Sequence, residues 1–183
     1  LMVLVCALST LLALLANAQT LALVGFAGAF ATPILISTGQ GNHVALFSYY
    51  LLLNVAIGVV AWLRAWRALN LLGFLSTFIV ATLWGALKYT PEQYASTQPF
   101  LIAFFVIYVA IGLFYALRHS GEKGHTLDGM LIFGTPIVAF ALQTQLVAHI
   151  EYGAAISAVV LSFVYVLIAY AMRVRTHPLA HWL

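Results

Sequence analysis

The sequence predicts an all-α integral membrane protein of about seven transmembrane helices, and three observations predict it. The chain is 64% hydrophobic and only 6% charged, with mean hydropathy +1.08, whereas a soluble domain carries about a quarter charged residues. Seven Lys/Arg and four Asp/Glu cannot wet the surface of a 19.9 kDa globule, so lipid is the main solvent. The apolar residues run continuously for about twenty at a time, which favours helices over the alternating ten-residue strands of a barrel. Finally, the basic residues collect on one side of the membrane when the runs are counted as seven.

The spans lie near 1–17, 20–38, 44–63, 69–88, 98–117, 127–147 and 150–172. The first break is Asn17-Ala18-Gln19, which makes a tight hairpin of spans one and two. "GQGNH" at 39–43 is a polar, Gly-rich turn. "RAWRA" at 64–68 carries two arginines that are costly to hold in hydrocarbon. "YTPEQYASTQP" at 89–99 is the longest outward segment, with a proline near each end. "RHSGEKGHTLDG" at 118–129 is charged; Thr126 reads as the cap of span six and Asp128 as its first-turn charge. The last break, near His149, is short.

Arg64, Arg67, Arg118, Lys123, Arg173 and Arg175 fall on one side and only Lys88 on the other. The positive-inside rule makes segments 64–68, 118–126 and 173–183 cytoplasmic, and 39–43 and 89–97 external. Tyr49, Tyr50, Trp62, Trp66, Trp84, Tyr89 and Tyr94 lie near span ends, where interfacial aromatic belts are expected. Residue 1 already falls within a span, and no charged n-region precedes it, so the expectation is an internal piece of a longer membrane protein rather than a signal peptide.

A phrase recurs along the chain: "FATPI" at 30–34 and "FGTPI" at 133–137. The copies lie in spans two and six and share an orientation. Superimposing them sets span one on span five and span three on span seven. The expected organisation is a tandem parallel repeat of a four-helix unit: 1–88, an external linker at 89–97, and an incomplete second copy at 98–183. Parallel repeats occur in transporters, and also arise by plain duplication of a structural unit. Within each copy, Pro33 and Pro136 remove a backbone donor and free the carbonyls of Ala29 and Ile132. Thr32 and Thr135 can bond back to their own helices and help bend them. Such kinks serve either ion or water binding or simply helix packing. Gly25, Gly28, Ala29 and Thr32 offer small-xxx-small pairs that let helices approach closely.

The strings "STGQGNHVALFSYYLLLN", "AWRALNLLGF", "TLWGALKY", "YASTQPFL" and "DGMLIFGTP" resemble the bacterial predicted-membrane-protein family called domain of unknown function 2339, over roughly 25–145. The resemblance implies a bacterial inner-membrane location and a longer parent chain with many more spans, often behind an N-terminal coiled-coil or soluble stretch. It supplies no reaction and no catalytic or binding residues.

The polar residues at depth are the candidate sites. Asn54 sits near the middle of span three, with Tyr50 one turn before it and Gly58 one turn after; it is either interhelical glue or a ligand. Lys88 snorkels to the interface or pairs with Glu92 or Glu151, and Glu151 opens span seven beside His149. With His43, these form either an outer-face site of groups whose charge can change or an interface-anchored salt bridge. "STGQGNH" lacks the Lys and Ser/Thr of a phosphate loop. Six histidines are spread over both faces without metal-ligand spacing; His177 and His181 are interrupted by Pro178. Cys6 is the single cysteine, there is no nucleophile elbow, and no basic surface for nucleic acid. No metal, cofactor or catalytic residue is therefore assigned. The expected partners are the bilayer and the remainder of a longer chain or other membrane subunits.

Three functions follow. A transporter or channel-like protein would line a polar cavity with Asn54, Thr32 and Thr135. A structural unit of a cell-envelope membrane complex would use the same residues for packing. A membrane enzyme acting on lipid or glycan at the outer face would bring His43, Lys88, Glu92, His149 and Glu151 into one cleft. The sequence ranks them in that order.

Overall fold

The computed structural model describes residues 18–36, 42–64, 66–118 and 126–176, and every described regular element is helical. Six α-helices follow one another: α1 (Gln19–Ile36), α2 (His43–Leu63), α3 (Arg67–Lys88), α4 (Tyr94–Arg118), α5 (Thr126–Leu146) and α6 (Gly153–Thr176). They correspond to spans two to seven; span one lies outside the described residues. A single 3₁₀ turn, Pro91–Gln93, leads into α4.

Among the described residues, four stretches are long and apolar enough to cross a membrane: His43–Leu63, Arg67–Lys88, Pro91–Phe114 and Gly153–Ala171. Gln19–Leu35 and Ile132–Leu146 are shorter apolar helices. The chain is thus an all-α membrane protein. The helix ends have local causes. Asn42 caps α2 by accepting from the Val44 N–H at 2.9 Å. Thr90 and Gln93 form a reciprocal capping box, with Pro91 at the first position of the turn, where a missing N–H costs nothing.

Three boundaries differ from expectation by three residues or more, and one of them is the end of α6, at Thr176 rather than near 172. α4 begins at Tyr94 rather than near 98, because the capping box starts the helix upstream and Pro99 is absorbed close to its beginning. α6 begins at Gly153 rather than near 150, because short-range bonds hold 147–152 as a turn: Ile150 N–H to Val147 O at 2.9 Å and Gly153 N–H to Ile150 O at 3.0 Å.

The chain divides into two compact units, 1–139 and 140–183. In the first, α2 packs against α1, α3 and α4, and α1 also packs against α3. The core is an aromatic and aliphatic seam of Phe26, Phe30, Phe47, Tyr50, Ile57, Leu69, Phe104 and Tyr108, all buried. Small residues set the approach of the helices. Gly73 of α3 faces Ile57, Tyr108 and Asn54, Gly112 of α4 faces Ile132, and Gly134 of α5 faces Phe74. In the second unit the end of α5 meets α6, where Gln143 Nε2 donates to Ser157 Oγ at 3.2 Å. Beyond Gly153, which is buried in the turn, the apolar residues of α6 up to Ala171 are exposed or half-buried.

Candidate functional site

The polar groups at membrane depth form two linked arrangements centred on α2. The first surrounds Asn54, which is wholly buried. Its amide Nδ2 donates to the Tyr50 carbonyl one turn back at 2.8 Å and to Thr77 Oγ1 of α3 at 2.7 Å. Its Oδ1 accepts from the Tyr108 hydroxyl of α4. Three helices are therefore joined at one amide, with both of its polar atoms in use. The amide carries one donor group and one acceptor, so the two ends must be met by partners of opposite kind, as Thr77 and Tyr108 do. Gly73, one turn before Thr77, leaves the space that lets Tyr108 reach the amide.

The second arrangement surrounds Pro33. Three successive carbonyls of α1 each accept a side-chain hydroxyl. Thr32 Oγ1 donates to Gly28 O at 2.8 Å, Tyr49 to Ala29 O at 3.0 Å, and Tyr50 to Phe30 O at 2.7 Å. Ala29 O is the acceptor that Pro33 deprives of its helical donor. In hydrocarbon that carbonyl has no water to turn to, and a phenol from the neighbouring helix takes the place of the missing N–H. The Tyr50 ring also packs on Phe30, with centroids 5.3 Å apart. Both phenols of this pair, expected near a membrane interface, are thus bonded to α1. The Tyr49 hydroxyl meets the carbonyl that Pro33 frees, the Tyr50 hydroxyl meets the next carbonyl along, and Tyr50 is fully buried there.

Pro136 lies inside α5 as Pro33 lies inside α1, and Thr135 beside it is fully buried.

Of the outer-face candidates, His43, Lys88 and Glu92 belong to the first unit. His43, the first residue of α2, has Nε2 2.7 Å from Ser96 Oγ, and its ring lies 5.2 Å from that of Trp84. The Ser96 hydroxyl itself donates to the Gln93 carbonyl at 3.0 Å. The imidazole and the Gln93 carbonyl thus both meet the one Ser96 hydroxyl. Lys88 and Glu92 are exposed near the 3₁₀ turn. Beside them, burial, then Tyr94 and Glu92, hold the Tyr89 phenol above its ordinary value. His149 and Glu151 are exposed residues of the turn between α5 and α6, in the second unit. Among the described residues no three His, Cys, Asp or Glu side chains are grouped to hold a metal ion.

Thr77, Tyr108 and Gly73 were not singled out by sequence reasoning. A signal existed for each. Tyr108 stands in the middle of an apolar run, far from either predicted interface, and Gly73 and Thr77 form a small-xxx-small pair.

Comparison with known proteins agrees with this architecture. Neither a curated protein nor a solved structure matches the chain. The family model described as "Predicted membrane protein (DUF2339)" matches residues 1–182, and the chain belongs to that family.

Proposed function

We propose that this chain is a helix-packing unit, a structural part of a larger membrane assembly. The observation that carries the reading is Asn54: a buried amide whose donor and acceptor are both spent on side chains of α3 and α4. A solute pathway through this point, the other reading the sequence supports, needs those atoms open to solute. Thr32, its proposed companion, turns its hydroxyl onto its own helix. The exposed apolar surface of α6, including Val159, Phe163, Val166 and Tyr170, suits lipid or further membrane helices.

The asymmetry of basic residues supports an inner-membrane orientation with 64–68, 118–126 and 173–183 cytoplasmic. The recurring Thr-Pro phrase supports corresponding roles for α1 and α5 in a tandem repeat, with matching bends at Pro33 and Pro136.

The test uses the purified protein in liposomes loaded with a pH-sensitive or potassium-sensitive dye. The packing reading expects ion flux at the level of empty vesicles for the wild type. It expects Asn54→Ala to leave flux there while lowering unfolding stability by about 1–3 kcal/mol, since Thr77 and Tyr108 lose their partner. A wild-type flux that Asn54→Ala abolishes without loss of stability would replace it with the transport reading.

A further inference from the structure

We infer that the edge of the first unit where α2 gives way to α3 holds an anionic phospholipid, its phosphate on Arg64 and Arg67 and one acyl chain along the outward face of α2. The inference goes beyond the packing reading, because it concerns the face of α2 turned away from the core.

The place for the chain follows from the two faces of α2. Leu53, Ile57, Val60 and Ala61 are buried towards the core. Leu52, Val55, Val59 and Trp62 recur at helical spacing on the opposite face and are exposed. From Leu52 to Trp62 the helix rises about 15 Å, half of a hydrocarbon core of about 30 Å. Leu52 is near the midpoint of α2, so this apolar column runs from the middle of the bilayer to one edge, the depth of one leaflet. At that edge the Trp62 ring stacks on Phe114 of α4, with centroids 4.7 Å apart. The stacking fixes an indole that remains 65% exposed, an apolar wall at the level where a chain joins its headgroup.

The place for the headgroup follows from the next residues. Trp66 N–H donates to Arg64 O at 2.9 Å, so a tight turn sets the exposed Arg64 and the half-buried Arg67 at the same edge as Trp62. Between positions 43 and 118 the one acidic residue is Glu92, in the turn beyond the far end of α3. α3 has no acid in its first turn and no side-chain cap at Trp66, so its positive end adds to the arginines instead of offsetting them. Both cations are arginine. Lysine satisfies the positive-inside bias equally well, whereas the forked guanidinium bonds two phosphate oxygens at once. A zwitterionic lipid brings its own ammonium and sets a third cation beside the two arginines. A lipid of the phosphatidylglycerol class brings a phosphodiester and no cation, which matches the charge present.

The experiment is quenching of Trp62 fluorescence in the full chain, reconstituted in vesicles that mix phosphatidylglycerol and phosphatidylcholine. One or the other lipid is brominated near the top of an acyl chain, and the Trp62 signal is taken by difference from Trp62→Leu. Salt at about 0.5 M screens attraction between separated charges and leaves bonded pairs in place. The expected preference of Trp62 for phosphatidylglycerol is about ten-fold, from two guanidinium–phosphate pairs at a wet edge. Arg64→Lys, at an exposed position, should lower it to about three-fold, and Arg64→Lys with Arg67→Lys to about unity, although the charge is unchanged. Inorganic phosphate at millimolar concentration should leave the wild-type preference in place, because the chain as well as the phosphate holds the lipid. Equal quenching by the two lipids in the wild type overturns the inference. A preference undiminished in the double lysine variant also overturns it, by showing attraction to surface charge without a bonded headgroup. Abolition by inorganic phosphate overturns the choice of occupant, since the arginines would then hold an ion and not a lipid.

Discussion

Gly73→Ala is the sharpest test of the packing, because two physical arguments give it opposite signs. Helix propensity favours Ala over Gly by about 1 kcal/mol. The structure opposes it. A methyl group on residue 73 would lie 2.5 Å from Ile57 Cδ1, 2.8 Å from the Tyr108 hydroxyl and 3.5 Å from Asn54 Oδ1. The first two separations are shorter than real contacts, and Ile57 and Tyr108 are both fully buried, so neither can swing into open space. Overpacking of this kind costs about 1–3 kcal/mol. Displacing Tyr108 also strains its bond to Asn54, at about 1–2 kcal/mol. The expected net change is a destabilisation of about 1–4 kcal/mol. Reversible denaturant unfolding in mixed micelles, followed by circular dichroism, measures it if the slope stays constant across variants. Ile57→Val removes the nearest clashing atom. Alone it costs about 0.5–1.5 kcal/mol, but in the Gly73→Ala background it should cost less or restore stability. A Gly73→Ala protein at least as stable as wild type, or strict additivity with Ile57→Val, would refute the account of a glycine kept open for Tyr108.

Other positions give contrasting expectations in the same assay. Gly58 has nothing within 4 Å of a built Cβ, so Gly58→Ala should be neutral or stabilising by up to about 1 kcal/mol. A Cβ on Gly112 would lie 3.1 Å from Ile132 Cγ1; Gly112→Leu should destabilise by about 1–3 kcal/mol, and an unchanged midpoint would mean that α4 and α5 do not pack there. Tyr152 holds a left-handed backbone with φ 60 and is largely exposed, so Tyr152→Gly should stabilise the turn by about 1 kcal/mol. Its neighbour behaves oppositely: a Cβ on Gly153 would sit 2.9 Å from the Val147 carbonyl, a backbone atom that cannot rotate away, and Gly153→Ala should destabilise that turn.

How far the fold was legible follows from what lipid demands. Hydropathy alone located α2 to within a residue, because a run that must hide every backbone amide in hydrocarbon has sharp polar edges. The start of α4 was harder to read, since Pro91 and Pro99 look alike as helix breakers. Only the capping box, which needs Thr90 and Gln93 together, shows that one opens a turn and the other is carried inside the helix. Among the candidate residues, Asn54 was conspicuous because an amide at depth is costly. Its partners were less so, because a tyrosine or threonine sits in an apolar run at lower cost than an amide. The bonds of Tyr49 and Tyr50 to α1 are hidden in the sequence for the same reason. Proximity to a span end suggested the interface, and nothing along α2 reveals that α1 brings a freed carbonyl against it.

The two arrangements share a residue, and that gives α2 its place in the unit. The Tyr50 side chain bonds α1 through Phe30 O, while the Tyr50 backbone carbonyl receives the Asn54 amide. Asn54 then reaches α3 and α4. One turn of α2, from Tyr50 to Asn54, thus contacts all three neighbours through directional bonds. Between helices in lipid there is no hydrophobic drive to set rotation, since the tails are as apolar as the side chains. Dispersion holds the helices together, but many rotations of one helix against another give similar dispersion. The hydrogen bonds are few, and each admits only one register. An α2 rotated by one residue would leave Ala29 O, Thr77 and Tyr108 facing groups that cannot bond to them, in a medium with no water to compensate. The polar residues of this turn contribute modestly to total stability and strongly to the uniqueness of the packing. Replacing Asn54 by an apolar residue of similar size, together with Thr77→Val and Tyr108→Phe, should therefore leave a helical protein whose helices associate with more than one register.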